Sequence, residues 1–274
     1  MTQFNLINTL ENILPKTMID LLKNCRDTIN RLPEDFEAVW HPLRRDTRQR
    51  IRKFHNRYAG QRCFIIGNGP SLQNTDLTKL RSEYSFGLNR IYLNFAEMGF
   101  PTTFFVSIND LVIEQTAPEI AELAIPKFIS WRSRKWLNPA ENLFFLHTTY
   151  TGKKFGKNAA NRLWEGATVT YVALQLAYYF GFSQVILVGV DHNFITKGEP
   201  NATVVSQGDD PNHFHPKYFG KGFRWQLPDL DTSETAYNMA KKAFEADARQ
   251  VLDATIGGKL TVFPKVAYSG LFSD

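Results

Sequence analysis

The sequence has few cysteines and no long apolar run. Its 274 residues include two cysteines, Cys25 and Cys63, which excludes a disulfide framework, and there is no Cys-x-x-Cys pair for structural zinc. The most apolar stretch, 169–190, carries Gln175 and Gln184, so it predicts a helix and a strand rather than a membrane span. The N-terminus has acidic residues within its apolar pattern and lacks a small-residue cleavage site, unlike a secretory signal. We therefore expect a cytoplasmic protein, peripheral at the inner membrane at most.

The sequence also lacks a strong charge of one sign. Lys and Arg number 32 against 27 for Asp and Glu, a net charge of +5, and 43% of the residues are hydrophobic. These proportions are typical of a globular protein. An excess of this size suits an anionic ligand such as a phosphate or nucleotide, and no nucleic-acid-binding motif is present. The predicted ligands are small molecules, with no nucleic acid among the partners.

Residues 1–59 are predicted to form a helical extension, and residues 60–274 a nucleotide-binding domain. Apolar residues at three- and four-residue spacing near the N-terminus predict an amphipathic helix, which Pro15 divides into two. A basic, helix-like run follows at 43–59 and stops at Gly60. The run is either a solvated face packed beside the main domain or a surface that contacts a membrane or a partner.

From Arg62 onward, short apolar runs alternate with helical patterns, which predicts a Rossmann-like α/β fold with a mostly parallel sheet flanked by helices. A loop rich in Gly, Pro, Asn and Asp spans 193–228. It is far longer than the roughly 12–15 residues of an ordinary long connection, so we expect a binding segment or lid. The predicted strands are 63–66, 84–88, 103–107, 127–130, 143–146, 184–188 and 260–263, and the predicted helices begin near Asp76 and span 168–179 and 232–250.

Polar residues follow the predicted strands at the edge where parallel α/β sheets bind ligands. The first of these segments, GNGPS at 67–71, lets the backbone approach an anion and can start a helix. It matches neither G-x-G-x-x-G nor a P-loop, and a tight turn with an N-cap serine remains the structural alternative. The candidate binding residues at the strand ends are Gly67, Asn68, Gly69, Pro70, Ser71, Asn89, Asn109 and Asp110.

The candidate catalytic residues are Asp191, His213 and His215. Asp191 follows an apolar strand, and the two histidines lie in the long loop. An imidazole titrates near neutral pH and therefore suits general base catalysis. The neighbouring Asp209 and Asp210 would orient an imidazole or bind a cation, whereas a solvated histidine is the alternative without function.

Lysines of the same loop are candidates to bind a phosphate. Lys197 and Lys217 would neutralise a departing phosphate group. No metal site is predicted; the weaker metal candidates are Asp110 with Glu114 and the His-x-His spacing in the loop, which lacks an obvious third ligand.

Three motifs in order carry a family resemblance: GNGPSL at 67–72, FGLNRIYL at 86–93 and LVGVDH at 187–192. With them the sequence resembles the 6-hydroxymethylpterin diphosphokinase MptE-like family, formerly domain of unknown function 115. That group is similar to motility-associated flagellin glycosyltransferases and to bacterial sialyltransferases that use CMP-activated sugars. The resemblance covers about residues 60–265 and implies a GT-A-like form of the fold.

The resemblance also implies roles for individual residues. In the sialyltransferases, asparagines matching Asn68 and Asn89 contact the CMP. A small residue that corresponds to the Ala167-Thr168 region opens the middle helix, which makes Thr168 a further candidate for nucleotide binding. Their catalytic base is a histidine in a mobile loop, for which this sequence offers His213 and His215. Their phosphate-binding tyrosines have no counterpart directly after the matching strand here, so a loop lysine would take that role.

The implied activity is inverting glycosyl transfer from a CMP-activated, sialic-acid-like or nonulosonate-like donor to a glycan or protein acceptor, as in the assembly of bacterial surface glycans. It requires no cofactor. In the rival hypothesis, a diphosphokinase, Mg²⁺ would be held by Asp110, Asp191 or Asp209. A third hypothesis is a nucleotide-binding module without catalysis. Peripheral membrane contact and a homo-oligomer are compatible with all three.

Overall fold

The computed structural model describes residues 14–196 and 198–272. By its contacts the chain divides into two units, residues 1–45 and 46–274. Helix α1 (Lys16–Trp40) makes up most of the described part of the first unit and contains Pro33. It begins directly after Pro15, where the sequence predicts a helix boundary; the predicted helix before Pro15 falls mostly outside the described residues. Within the described ranges, no helix is long and apolar enough to cross a membrane.

The second unit is built on a parallel sheet of eight strands, in the order β10-β7-β1-β2-β3-β4-β5-β6. A small antiparallel pair, β8 with β9, stands apart from it. The strands are β1 (Arg62–Ile66), β2 (Tyr84–Leu88), β3 (Phe104–Ser107), β4 (Lys127–Ser130), β5 (Leu143–Thr149), β6 (Arg162–Trp164), β7 (Gln184–Val188), β8 (Thr203–Val205), β9 (Arg224–Gln226) and β10 (Gln250–Asp253). The other helices are α2 (Pro42–Arg52), α3 (Phe95–Met98), α4 (Asp110–Glu122), α5 (Val169–Phe180) and α6 (Leu230–Ala246).

The order of the strands creates one topological switch point. From β1 the chain adds β2 to β6 on one side, then returns through α5 to place β7 on the other side of β1. Open parallel sheets bind ligands beyond the carboxyl ends of the strands where the order reverses. The crevice between the ends of β1 and β7 is therefore the place to look for a site. The predicted Rossmann-like, mostly parallel sheet flanked by helices is confirmed.

Helix α5 and a group of phenylalanines form the core of the second unit. Every residue of α5 from Thr170 to Phe180 is buried, because a helix that is apolar on all sides needs cover on all sides. Phe54, which follows α2, stacks on Phe180 with ring centroids 4.8 Å apart and packs edge-on against Phe128. The segment that follows α2 thus packs through Phe54 into the core of the second unit.

The last predicted strand, at 260–263, is wrong. Leu260 and Phe263 are buried in the core, but their segment has no strand structure; burial of apolar residues in an irregular segment produced the strand-like pattern. Helix α6 ends at Ala246, earlier than predicted, and Ala248 takes a positive φ of 53°. The chain then enters β10, which pairs with β7.

Candidate functional site

The ends of β1 and β7 are joined at the switch point by backbone hydrogen bonds. The Gly67 N–H donates to the Val188 carbonyl at 2.8 Å, and the Gly69 N–H donates to the Gly189 carbonyl at 2.9 Å. A Cβ atom on Gly67 would overlap the Gly189 carbonyl oxygen, and a Cβ on Gly69 would overlap the carboxylate of Asp191. Both glycines are thus required for the close approach of the two strand exits.

Asp191 holds the turn after β1. Its Oδ1 accepts a hydrogen bond from the Ser71 N–H at 3.1 Å, and its Oδ2 accepts one from the Ser71 hydroxyl at 2.7 Å. Burial raises the pKa of Asp191, and the two bonds from Ser71 offset part of that rise. Pro70 begins a short 3₁₀ helix, Pro70–Asn74. The candidate catalytic Asp191 therefore has both oxygens engaged in positioning the GNGPS segment.

Asn68 carries an unpartnered acceptor at the switch point. Its Nδ2 donates to the Leu88 carbonyl at 2.9 Å, which fixes the orientation of the amide. Its Oδ1 has no hydrogen-bond partner, although the residue is only 9% exposed. A buried acceptor without a partner costs about 1–3 kcal/mol. A donor group of a bound ligand would relieve that cost.

The end of β2 lies beside Asn68. Asn89 takes a positive φ of 47°, and its Oδ1 accepts a hydrogen bond from the Ser107 hydroxyl at 3.0 Å. The Arg90 N–H donates to the Tyr218 hydroxyl at 3.4 Å, and the Arg90 guanidinium donates to the carbonyls of Lys217 and Tyr218. Arg90 therefore ties the long loop to the end of β2.

The same loop is bound to Asn68 through its backbone. The Phe214 N–H donates to the Asn68 carbonyl at 2.9 Å, and the Phe214 carbonyl accepts from the Gln73 amide at 2.8 Å. Its far end is fixed as well, since Gln115 of α4 exchanges two hydrogen bonds with the backbone of Arg224 in β9. The long segment predicted as an irregular loop is thus anchored near its middle, at Phe214, and towards its C-terminal end, at Arg224, and it contains the β8–β9 pair.

These anchors bring a histidine–carboxylate pair to the strand ends. His213 Nδ1 lies 2.7 Å from Asp210 Oδ2, and the imidazole stacks on the buried Tyr218 ring at 4.0 Å between centroids. Asp210 is itself held by the N–H groups of Asn212 and Phe219. With Nδ1 bonded to the carboxylate, Nε2 of neutral His213 is the proton acceptor. A base fixed by an orienting carboxylate is the arrangement that general base catalysis uses.

His215 lacks such a carboxylate. Its Nδ1 accepts a hydrogen bond from the Lys217 N–H at 3.1 Å, a local turn contact. The Lys217 side chain is exposed beside this turn. The other candidate for phosphate binding, Lys197, lies outside the described residues. Of the two histidines that the sequence left as alternatives, only His213 has an orienting acid in the described structure.

The remaining predicted site residues begin helices. Asn109 Oδ1 accepts from the N–H groups of Leu111 and Val112 at the start of α4, and its Nδ2 donates to Gln226 at 3.1 Å. Thr168 Oγ1 accepts from the Thr170 N–H at the start of α5 and lies 3.4 Å from the Tyr237 hydroxyl. Both residues are N-caps, and the capping contacts account for most of their hydrogen-bonding groups.

Asp110 and Glu114 are each paired with arginine. Asp110 accepts from Ser133 at 2.6 Å and from Arg132 at 3.1 Å, whereas Glu114 pairs with Arg224 at 2.9 Å. The two carboxylates that the sequence offered as the weaker metal candidate are thus engaged by protein donors. Across residues 14–196 and 198–272, no three His, Cys, Asp or Glu side chains cluster as metal ligands.

Comparison with known proteins decides the family. The sequence profile of the 6-hydroxymethylpterin diphosphokinase MptE-like family matches residues 42–197, more than half of the chain. The chain belongs to the MptE-like family. No curated protein matches it. Among solved structures it is similar to the MAf glycosyltransferase from Magnetospirillum magneticum AMB-1, with 14% identity and a TM-score of 0.49 over 84% of this chain and 39% of that one.

The part of the chain that matches the MptE-like family does not include the His213–Asp210 pair. The match includes GNGPS and Asp191, and it starts at residue 42, earlier than the resemblance inferred from motifs. It ends at residue 197, before Asp210 and His213. The turn that carries Asn68 is thus part of the MptE-like region, whereas the imidazole lies beyond it.

Two residues of the candidate site were missed by the sequence analysis. Arg90 directly follows Asn89 in the FGLNRIYL motif, and Tyr218 stacks on His213. Arginine after a strand end is a usable signal, because its fork of donors can bind several carbonyl groups at once. Tyr218 gave no such signal, since its role depends on a contact that only the folded loop creates.

Proposed function

We propose that this protein is an inverting glycosyltransferase that uses a CMP-activated, sialic-acid-like or nonulosonate-like donor, with His213 as general base. The observation that carries the proposal is the junction at Asn68. The carbonyl of Asn68 anchors the loop that bears the His213–Asp210 pair, while its side-chain Oδ1 is buried without a partner. The proposed nucleotide contact, Asn68, is thus hydrogen-bonded through its backbone to the residue that follows the proposed base, His213.

The nucleotide moiety of the donor would satisfy the open acceptor of Asn68. A cytosine amino group or a ribose hydroxyl can donate to Oδ1. On the neighbouring strand end, Asn89 Oδ1 is engaged by Ser107, which leaves the Asn89 amino group to face a nucleotide oxygen. Lys217, and Lys197 from the same loop, are the proposed phosphate contacts.

The chemistry assigned to His213 is one proton transfer. The acceptor hydroxyl attacks the anomeric carbon and forms the new C–O bond, while the bond from that carbon to the CMP phosphate breaks. The electron pair leaves with the phosphate, and the hydroxyl proton moves to Nε2 of His213. Asp210 stabilises the imidazolium that results, because it accepts the Nδ1 proton in a hydrogen bond of 2.7 Å.

A second candidate function is pyrophosphoryl transfer, which the description of the family, 6-hydroxymethylpterin diphosphokinase MptE-like, favours. That reaction relies on Mg²⁺ bridging the phosphates of ATP. Of the three aspartates considered for Mg²⁺, Asp110 and Asp191 accept hydrogen bonds from protein donors, and Asp209 is exposed. The hydrogen-bonded state of the first two supports the glycosyltransferase over this alternative.

Nucleotide preference and product formation test the proposal. Thermal shifts are measured with CMP, CDP, UDP, GDP, ATP and AMP, each with and without Mg²⁺; a ligand at 100 times its Kd stabilises the native state by about 2.7 kcal/mol. Release of CMP from a CMP-activated sialic acid is then followed with glycan acceptors. The expected result is stabilisation by CMP and release that requires His213. Mg²⁺-dependent consumption of ATP with hydroxymethylpterin would replace the proposal with the kinase, and nucleotide binding without either turnover would replace it with a binding module.

A further inference from the structure

Helix α1 carries a row of large apolar side chains that are exposed. Phe36 is 65% exposed and Trp40 is 71% exposed. Several large apolar side chains exposed side by side are typical of a protein interaction site. The exposed apolar residues of the helix, which we call the α1 stripe, are Met18, Leu21, Cys25, Ile29, Leu32, Phe36, Val39 and Trp40.

The spacing of the α1 stripe is that of a helix-pairing seam. Ile29 and Phe36 of the stripe recur every seven residues together with the half-buried Leu22 beside it, and so do the positions 18, 25, 32 and 39. At about 100° per residue these positions fall within an arc of roughly 100°. From residue 18 to residue 40 the stripe is about 33 Å long at 1.5 Å per residue. A seam of this kind, repeated over three heptads, is buried by packing against another helix.

The charges of α1 favour a second copy of the helix in the opposite direction. In the part of the helix that would pair, residues 21–30 contain two basic residues and one acidic residue, whereas 31–40 contain one basic and three acidic residues. Antiparallel pairing places the more basic half against the acidic half, whereas parallel pairing would place Asp35 of one chain beside Glu37 of the other, since these two carboxylates flank the stripe. Helices that lie on anionic membranes have a polar face rich in Lys and Arg, and α1 has more acidic than basic residues.

We propose that α1 pairs with α1 of a second copy of this chain as an antiparallel two-helix seam, making the protein a dimer. Antiparallel alignment brings Ile29 opposite Leu32 and Leu22 opposite Val39. It also brings Cys25, the smallest side chain of the stripe, opposite Phe36, one of the largest. The small and the large side chain together fill the space between the two helices at that level. This inference depends on the first unit alone and is independent of the proposed function.

The position of Cys25 makes the direction of pairing measurable. In the proposed alignment Cys25 of one copy lies opposite position 36 of the other, and two Cys25 residues are about 16 Å apart along the seam at 1.5 Å per residue. A bis-maleimide of about half that span should cross-link the Phe36→Cys variant into a dimer and leave the wild type uncross-linked. Residues 25 and 36 of the same chain are equally far apart, so a cross-link within one chain is not expected.

The controls separate this result from other contacts. Cys63 is fully buried, so Cys25→Ser in the Phe36→Cys background should remove the cross-linked dimer. Sedimentation should give a dimer for the wild type and for Asn30→Glu, which changes an exposed residue off the stripe. It should give a monomer for Ile29→Glu with Leu32→Glu, with circular dichroism unchanged.

Three outcomes would overturn the proposal. A wild-type monomer at all accessible concentrations would mean that the stripe is covered within one chain. Cross-linking of the wild type through Cys25 alone would mean parallel pairing. Binding of a monomeric protein to phosphatidylserine vesicles, with no dimer in their absence, would mean that the stripe contacts a membrane surface.

Discussion

Two asparagines at the same edge of the sheet, separated by the end of β2, have opposite hydrogen-bonding states. Asn109, after β3, has its side-chain oxygen bonded to two N–H groups of α4 and its amino group bonded to Gln226. Asn68, after β1, has its amino group bonded to the Leu88 carbonyl and its buried oxygen without a partner. The same residue type thus caps a helix at one strand end and has a buried acceptor without a partner at the other. A position directly after a strand does not predict which of the two states an asparagine side chain takes. The hydrogen-bond partners within its reach in the folded chain determine that state.

The largest expected effect is that of His213→Ala. Loss of a positioned general base should reduce turnover by about 10²–10⁴-fold, while nucleotide binding is retained, as isothermal titration calorimetry would verify. His215→Ala is the matched control, since His215 makes only a turn contact, and its turnover should stay near the wild-type rate. Asp210→Asn should fall between the two, because it weakens the orientation of the imidazole. Equal losses for the two histidine variants would contradict the assignment of His213.

The sequence predicted the sheet well because its strands are short apolar runs that are buried on both faces. Strands β2, β4 and β7 match the predicted bounds. It failed at 260–263, where Leu260 and Phe263 are buried without a ladder of hydrogen bonds. A buried apolar segment gives the same sequence pattern whether or not it pairs as a strand. In the folded chain it is β10, and not 260–263, that pairs with β7.

For the site, the sequence predicted the residue types but not which of them are engaged. It identified both loop histidines, and it named Asp210 as a residue that could orient an imidazole. The choice of His213 depends on a contact of 2.7 Å to Asp210 within a folded loop. The loop in turn is held by Arg90 and by the backbone of Asn68, contacts between residues more than a hundred positions apart that no local pattern encodes.

The contrast between the two asparagines predicts a difference in nucleotide affinity. Asn68→Ala should weaken CMP binding by about 1–3 kcal/mol, because a hydrogen bond from the ligand to a buried oxygen is lost. Asn109→Ala should leave the affinity unchanged and lower the free energy of unfolding by about 0.5–2 kcal/mol, since a helix cap is lost. Calorimetric titration and urea unfolding measure the two quantities. If Asn109→Ala weakens binding as much as Asn68→Ala does, the distinction between cap and contact fails.

The close approach of the segments that follow β1 and β7 predicts that one added methyl group at Gly69 lowers the stability of the fold. Gly69→Ala should destabilise the fold by about 1–3 kcal/mol, since its Cβ would overlap the Asp191 carboxylate and shift the turn. Gly208→Ala is the control, because nothing lies within 4 Å of a Cβ there. Thermal unfolding of both variants gives the comparison. A Gly69→Ala protein as stable as the control would mean that the Asp191–Ser71 contact can move without loss.

The smallest expected effect concerns the charge of Asp191. Burial raises its pKa in the folded state above the value of about 3.9 for an unfolded chain. The folded protein therefore holds a proton that the unfolded chain has released, and this group's contribution to stability falls as the pH rises from about 4 through the raised pKa. Asp191→Asn keeps an acceptor for the Ser71 N–H and lacks the titration. Its free energy of unfolding relative to the wild type should rise with pH across that window, measured by urea unfolding at pH 4 and pH 7. A difference that is independent of pH would mean that Asp191 titrates alike in both states, with the hydrogen bonds from Ser71 fully offsetting the effect of burial.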